Sequence, residues 1–200
     1  MSDRGESAFQ EISAVPQDFA VPAGVVLMAV LITAATDLWK FKVHNVLTLP
    51  LLAGGLIYHG VVEGQAGLAT SSLGMLFGFG ALFGFYVLGG MGGGDVKLFA
   101  AVGAWLGMPF TFYAFLATSL AAGVYSLCVI VFYRTTGDTW SNLRILWFRF
   151  QTVGRYLGSD DRVESAVGLA DRRGRLIPFA LMIAVGTVVT VLLVLSGRLP

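Results

Sequence analysis

The sequence predicts an all-α membrane protein with six transmembrane helices, and three observations carry that prediction. The 200-residue chain is 56% hydrophobic and 12% charged, with a mean hydropathy of +0.78, which is more apolar and less charged than a soluble domain. Its charged residues leave five uncharged stretches, 19–36, 43–62, 64–94, 98–133 and 176–197, close to or beyond the roughly 20 residues that a spanning helix needs. The fourth stretch would run roughly 54 Å as one helix, nearly twice a bilayer core of about 30 Å, so it folds back and supplies a sixth span.

The elements follow in chain order. Residues 1–18, MSDRGESAFQEISAVPQD, set one arginine against Asp3, Glu6, Glu11 and Asp18; a secretory signal peptide begins with a basic segment instead, so this reads as an acidic tail. The remainder, 19–200, reads as one six-span domain. The first span ends at Asp37, followed by Lys40 and Lys42, and the second closes at Glu63, a solvated charge in a loop. The third carries Gly74, Gly78, Gly80 and Gly84, which read as a small-residue packing seam. It runs into GGMGGGDVKL at 89–98, where Asp95 opens the fourth span. LGMP at 106–109 breaks that stretch, because Pro109 has no amide hydrogen and Gly107 tolerates turn geometry.

Eight of the ten arginines lie between Arg134 and Arg175, and loops rich in Lys and Arg stay cytoplasmic. That sets the 134–175 loop inside and, counting back through the spans, the acidic tail outside, Lys40 and Lys42 inside, Glu63 outside and GGGDVK inside. Within the cytoplasmic loop, SNLRILWFRFQTVGRYL at 141–157 mixes arginines with Trp147, Phe148, Phe150 and Tyr156, a composition suited to the headgroup layer.

Several function classes drop out. A net charge of +1 gives no clustered basic surface for nucleic acid. The single cysteine, Cys128, sits in an apolar run and reads as a small buried hydrophobe, with no disulfide framework and no CxxC metal site. His44 and His59 fall at opposite ends of one span, too far apart to share an ion. No metal and no cofactor are expected.

What remains is a pair of acids. Asp37 and Asp95 border spans on the predicted cytoplasmic side, and an ionisable residue at membrane depth is costly enough to mark function. For either acid alone, a helix cap at the water boundary accounts for it as well. If their helices pack together, like charges at close range cannot both ionise cheaply, and the two share one proton. Such a pair can cleave a peptide bond, the carboxylate taking a proton from water while the carboxylic acid donates one to the carbonyl oxygen. Gly92, Gly93 and Gly94 would let a backbone or a neighbouring helix approach Asp95. Helix polarity favours Asp95, at an N-terminus, as the ionised base and disfavours a charge on Asp37, at a C-terminus, by about 0.3 to 1 kcal/mol each. Lys97 supports that assignment and equally fits a side chain snorkelling to the interface.

With GGGD opening one span and a second aspartate ending an earlier one, the chain resembles the GxGD membrane aspartyl proteases, and within them the prepilin peptidases of the type IV leader peptidase family. Three stretches carry the resemblance: TDLWKFKVHNVLTLPLL at 36–52, GGGDVKLFAAVGAWLG at 92–107 and the proline-bearing RLIPFALMIAVG at 175–186. It implies a GxGD-type bundle with Asp37 and Asp95 as the catalytic pair and Gly92 and Gly94 as motif glycines. Lys97, Asn45 and Pro178 join them as further motif positions. It also implies prepilin or pseudopilin substrates, cut at the cytoplasmic face of a bacterial inner membrane between a short basic leader and a hydrophobic helix, and pilus or secretion assembly proteins as further partners. His44 stands where the family usually has proline. The paired cysteines of bifunctional members have no counterpart, so the resemblance points to a peptidase-only member of the short tight-adherence (Flp) pilus type, without N-methylation.

Two other classes compete. Glycine-broken helices beside buried acids also describe ion-coupled transporters, although those usually show paired repeats and mid-membrane sites. A non-enzymatic secretion subunit would use the arginine-rich loop for docking.

Overall fold

A computed structural model of the chain describes residues 19–40, 45–88, 91–133 and 179–199. The acidic tail, His44, the 134–175 loop with its 141–157 segment, and Pro178 lie outside the described residues. Those described are helical, with no strand: α1 (Ala20–Lys40), α2 (Asn45–Val62), α3 (Gly64–Val87), α4 (Gly93–Tyr133) and α5 (Phe179–Leu195). Three stretches, Ala20–Asp37, Gly64–Val87 and Gly93–Val129, are long and apolar enough to cross a membrane, and Leu47–Val62 and Phe179–Leu195 are shorter apolar helices. α4 is continuous except at Gly107, whose φ of 73° and ψ of 170° leave helical space, so the break falls where LGMP predicts it.

Apolarity does not separate inside from outside here. On α1, Phe19, Ala23, Val26, Val30, Thr33 and Ala34 are buried at helical spacing, while Met28, Leu31 and Ile32 on the other side are more than half exposed. Exposed apolar surface on this scale suits lipid rather than water. The innermost element is the first arm of α4, where Val96 and every residue from Leu98 to Leu106 are buried. A helix buried all round must be covered on every side, and α1, α2, α3 and α5 all pack on α4.

The closest approach is between α3 and this arm. Gly67, Ser71, Gly74, Gly78 and Leu82 form the buried face of α3. A Cβ on Gly74 would collide with the Gly103 carbonyl, one on Gly103 with the Gly74 carbonyl, and one on Gly78 would lie 2.6 Å from the Phe99 carbonyl oxygen. The seam predicted on α3 is therefore shifted: Gly80 and Gly84 meet nothing within 4 Å. Cys128 also departs from expectation. It is exposed, in a shallow apolar groove with Ala121, Tyr125 and Val189.

The seam makes a direct prediction for thermal unfolding in detergent. Gly103→Val should lower the midpoint sharply, with overpacking costing about 1 to 3 kcal/mol. Gly80→Ala should leave the midpoint unchanged or raise it, because alanine is the better helix former by roughly 0.5 to 1 kcal/mol.

Candidate active site

Asp37 continues the buried stripe of α1: Val30, Thr33, Ala34 and Asp37 follow at helical spacing, and Asp37 is 8% exposed. That burial argues against a mere cap at the water boundary. The polar side chains before it are satisfied within their own helix, Thr33 Oγ1 donating to the Ala29 carbonyl at 2.8 Å and Thr36 Oγ1 to the Thr33 carbonyl at 2.9 Å. The Asp37 carboxyl instead looks across to α5, where it accepts the backbone N–H of Ala180.

Asp95 is half-buried in the first turn of α4. Its own amide donates to the Gly92 carbonyl at 3.2 Å, which closes the turn. Gly92, Gly94 and Lys97 are likewise half-buried. A Cβ on Gly92 would make ordinary contact with the Asp95 Oδ2, at 3.5 Å, and the Gly94 nitrogen, at 4.0 Å, whereas one on Gly93 would sit 3.2 Å from the Tyr86 ring. The neighbour that uses a glycine here is thus Tyr86, at the end of α3. Asn45 opens α2.

The bundle brings the two aspartates to the same end. The rings of Phe19 and Phe110 lie 5.0 Å apart, pinning the start of α1 beside the break in α4. α1 then runs away from that level for roughly 27 Å before reaching Asp37, at about 1.5 Å per residue. The first arm of α4 runs toward it over roughly 18 Å from Asp95. The Ala180 contact sets the start of α5 at the aspartate end, and the Tyr86 ring sets the end of α3 there.

Counting α1 alone leaves Asp37 at a negative helix end, but its carboxyl also receives an amide from the first turn of α5. Each aspartate therefore lies at the positive end of a helix, α4 for Asp95 and α5 for Asp37, and polarity no longer separates base from acid. Sequence reasoning missed the Ala180 amide, a backbone group, and Tyr86, which has no motif of its own.

At the opposite end, Glu63 is exposed, as a solvated charge would be, and it also has a partner. His59 Nδ1 lies 3.1 Å from its Oε1, and the Glu63 side chain is 39% exposed. Among the described residues no three His, Cys, Asp or Glu side chains group as a metal site.

Two carboxyl groups at one end of an apolar bundle, one buried and one half-buried, suit proton transfer at the lipid boundary. A profile of the type IV leader peptidase family matches residues 24–127, which include both aspartates, and the chain belongs to that family. It is similar to a prepilin leader peptidase/N-methyltransferase of Aeromonas salmonicida, 36% identical over 102 residues, 48% of this chain and 35% of that protein. A protein of the same name from Bacillus subtilis is 32% identical over 113 residues, 55% of this chain and 45% of that one. The chain thus spans well under two thirds of these curated relatives. No solved structure matches it.

The glycines give a test of the site's construction. Gly92→Ala should unfold at the wild-type temperature. Gly93→Val should lose about 1 to 3 kcal/mol to overpacking against Tyr86, and Tyr86→Ala in the same chain should recover part of that loss. Equal losses at Gly92 and Gly93 in detergent unfolding would contradict the arrangement.

Proposed function

We propose that the chain is a prepilin leader peptidase, an intramembrane aspartyl endopeptidase in which Asp37 and Asp95 are the catalytic pair. The observation that carries the reading is the gathering of these two acids at one end of the bundle, within the region matched to the family. Asp37 is buried, and Asp95 opens α4, the helix on which each of the other described helices packs.

The chemistry needs one proton between two carboxyls. The ionised member takes a proton from a water molecule, whose oxygen attacks the scissile carbonyl carbon. The protonated member gives its hydrogen to the carbonyl oxygen, so the tetrahedral intermediate is neutral. Collapse breaks the C–N bond, the departing amine receives a proton, and the pair returns to its starting state. Gly92 and Gly94 keep side chains away from the approach to Asp95. No step calls for a metal or cofactor.

In this reading α4 crosses the membrane twice, each arm one span, which with α1, α2, α3 and α5 makes six. The arginine-rich 134–175 loop and both aspartates then face the cytoplasm of a bacterial inner membrane. The substrates are prepilins or pseudopilins, a basic leader joined to a hydrophobic helix, and the short tight-adherence type is the member best suited to this sequence. Asn45, Lys97 and Pro178 are the further motif positions of this reading.

Co-expression with a prepilin tests the reading. Asp37→Asn and Asp95→Asn should each reduce leader removal by at least about a thousandfold, the scale of losing a catalytic group that acts as one of a unit, while both variants still enter the membrane. Leader removal by either variant at the wild-type rate would refute it. Cleavage by purified wild-type protein should continue at an unchanged rate in a metal chelator.

A further inference from the structure

The first arm of α4 ends inside the bundle, and its last carbonyls lack helical donors. Pro109 has no amide hydrogen, so the Trp105 carbonyl, four residues earlier, loses its ordinary partner. The non-helical Gly107 turns the chain away before Met108 can serve Ala104. Ala104 and Trp105 are buried in the protein, so water does not replace these donors, and each missing bond is costly.

Side chains from two other helices take their place. Ser71 Oγ, on α3, donates to the Ala104 carbonyl at 2.6 Å. His59 Nε2, on α2, lies 3.0 Å from the Trp105 carbonyl oxygen; because a carbonyl only accepts, that nitrogen carries the hydrogen. The same tryptophan is fixed at its indole, Nε1 donating to the Leu51 carbonyl at 2.7 Å, with the Tyr58 ring stacked at 5.5 Å. Glu63 holds the far side of the His59 ring at 3.1 Å, a contact that needs a hydrogen on Nδ1 or on the carboxyl. On the same face of α2, one turn earlier, Gly55 lies so near Ala104 that a Cβ would be 2.9 Å from its backbone.

We propose that His59 is a positioning residue for the peptidase reaction: its bond to the Trp105 carbonyl fixes the height and rotation of the arm whose first turn carries Asp95. The proposal rests on the reading of Asp95 as catalytic. Leu98 to Leu106 are buried on every side, and a rigid helix conveys a shift at Trp105 to Asp95, roughly 15 Å away at about 1.5 Å per residue. Small misplacements of a catalytic group cost large factors in rate. His59 touches neither substrate nor reacting atoms, so its loss should fall on kcat and leave KM alone.

The test uses the full chain in detergent with a prepilin substrate. His59→Asn, too short to reach Trp105, should lower kcat about ten- to a hundredfold with KM unchanged. His59→Gln, whose amide nitrogen can take the place of Nε2, should restore most of it. Wild-type kcat in His59→Asn, or equal losses in both variants, would overturn the proposal. Should His59→Asn fail to fold, nitrogen-15 histidine NMR of the wild-type protein decides: a His59 Nε2 hydrogen protected from solvent exchange supports the bond, and a freely exchanging one overturns it. Asp95→Asn, assayed beside them, separates the two levels, since activity surviving there sinks the aspartyl reading itself, whatever His59 does.

Discussion

A helix that stops inside a packed bundle must find donors for its last carbonyls within the protein, and the first arm of α4 stops there, with Ala104 and Trp105 buried. Proline at 109 and glycine at 107 enforce the stop, and Ser71 and His59 satisfy the carbonyls it strands. This capping lets one apolar run turn back on itself, and it binds α2 and α3 to the arm at the end remote from the aspartates. Lipid offers neither water nor a strong hydrophobic drive between helices. Directional bonds at the ends and close backbone contact along the middle therefore hold the bundle together.

Close contact is the glycines' part. Gly74, Gly78 and Gly103 bring the backbones of α3 and α4 together, so that Asp95 projects from a helix with no open side along most of its arm. Asp37 is held differently. It ends the buried stripe of α1 and reaches the first turn of α5, so three helices converge on two acids. The polar chemistry is concentrated at the two ends of the bundle, the aspartates at one and the His59, Glu63 and Trp105 cluster at the other.

Much of this was legible in the sequence, because the strongest signals are local. Charge-free runs mark the helices, Pro109 and Gly107 mark the break, and an aspartate at each of two span ends marks the candidate site. What escaped is what apolarity cannot encode in a membrane. A run such as that around Cys128 has a lipid side and a protein side of the same composition, so Cys128 reads as buried and is exposed. The same ambiguity hides which glycines of α3 face α4. Gly74 and Gly78 do, whereas Gly80 and Gly84 meet nothing. Partners on other helices escaped as well: the Ala180 amide for Asp37, Tyr86 for Gly93 and His59 for Trp105. Of these, only the last had a usable signal, since a proline in a buried run announces a carbonyl in need of a donor.

The central claim is that Asp37 and Asp95 come close enough to share a proton. Its most direct test is to place cysteines at both positions, with Cys128 changed to alanine, and to treat membranes with an oxidant or a short bifunctional thiol reagent. A disulfide needs the two Cα atoms within roughly 4.4 to 6.8 Å, and a short reagent extends that only slightly. Rapid cross-linking is expected within single chains that still unfold cooperatively. Two thiols that are each labelled readily in a folded chain, yet never join, would contradict it.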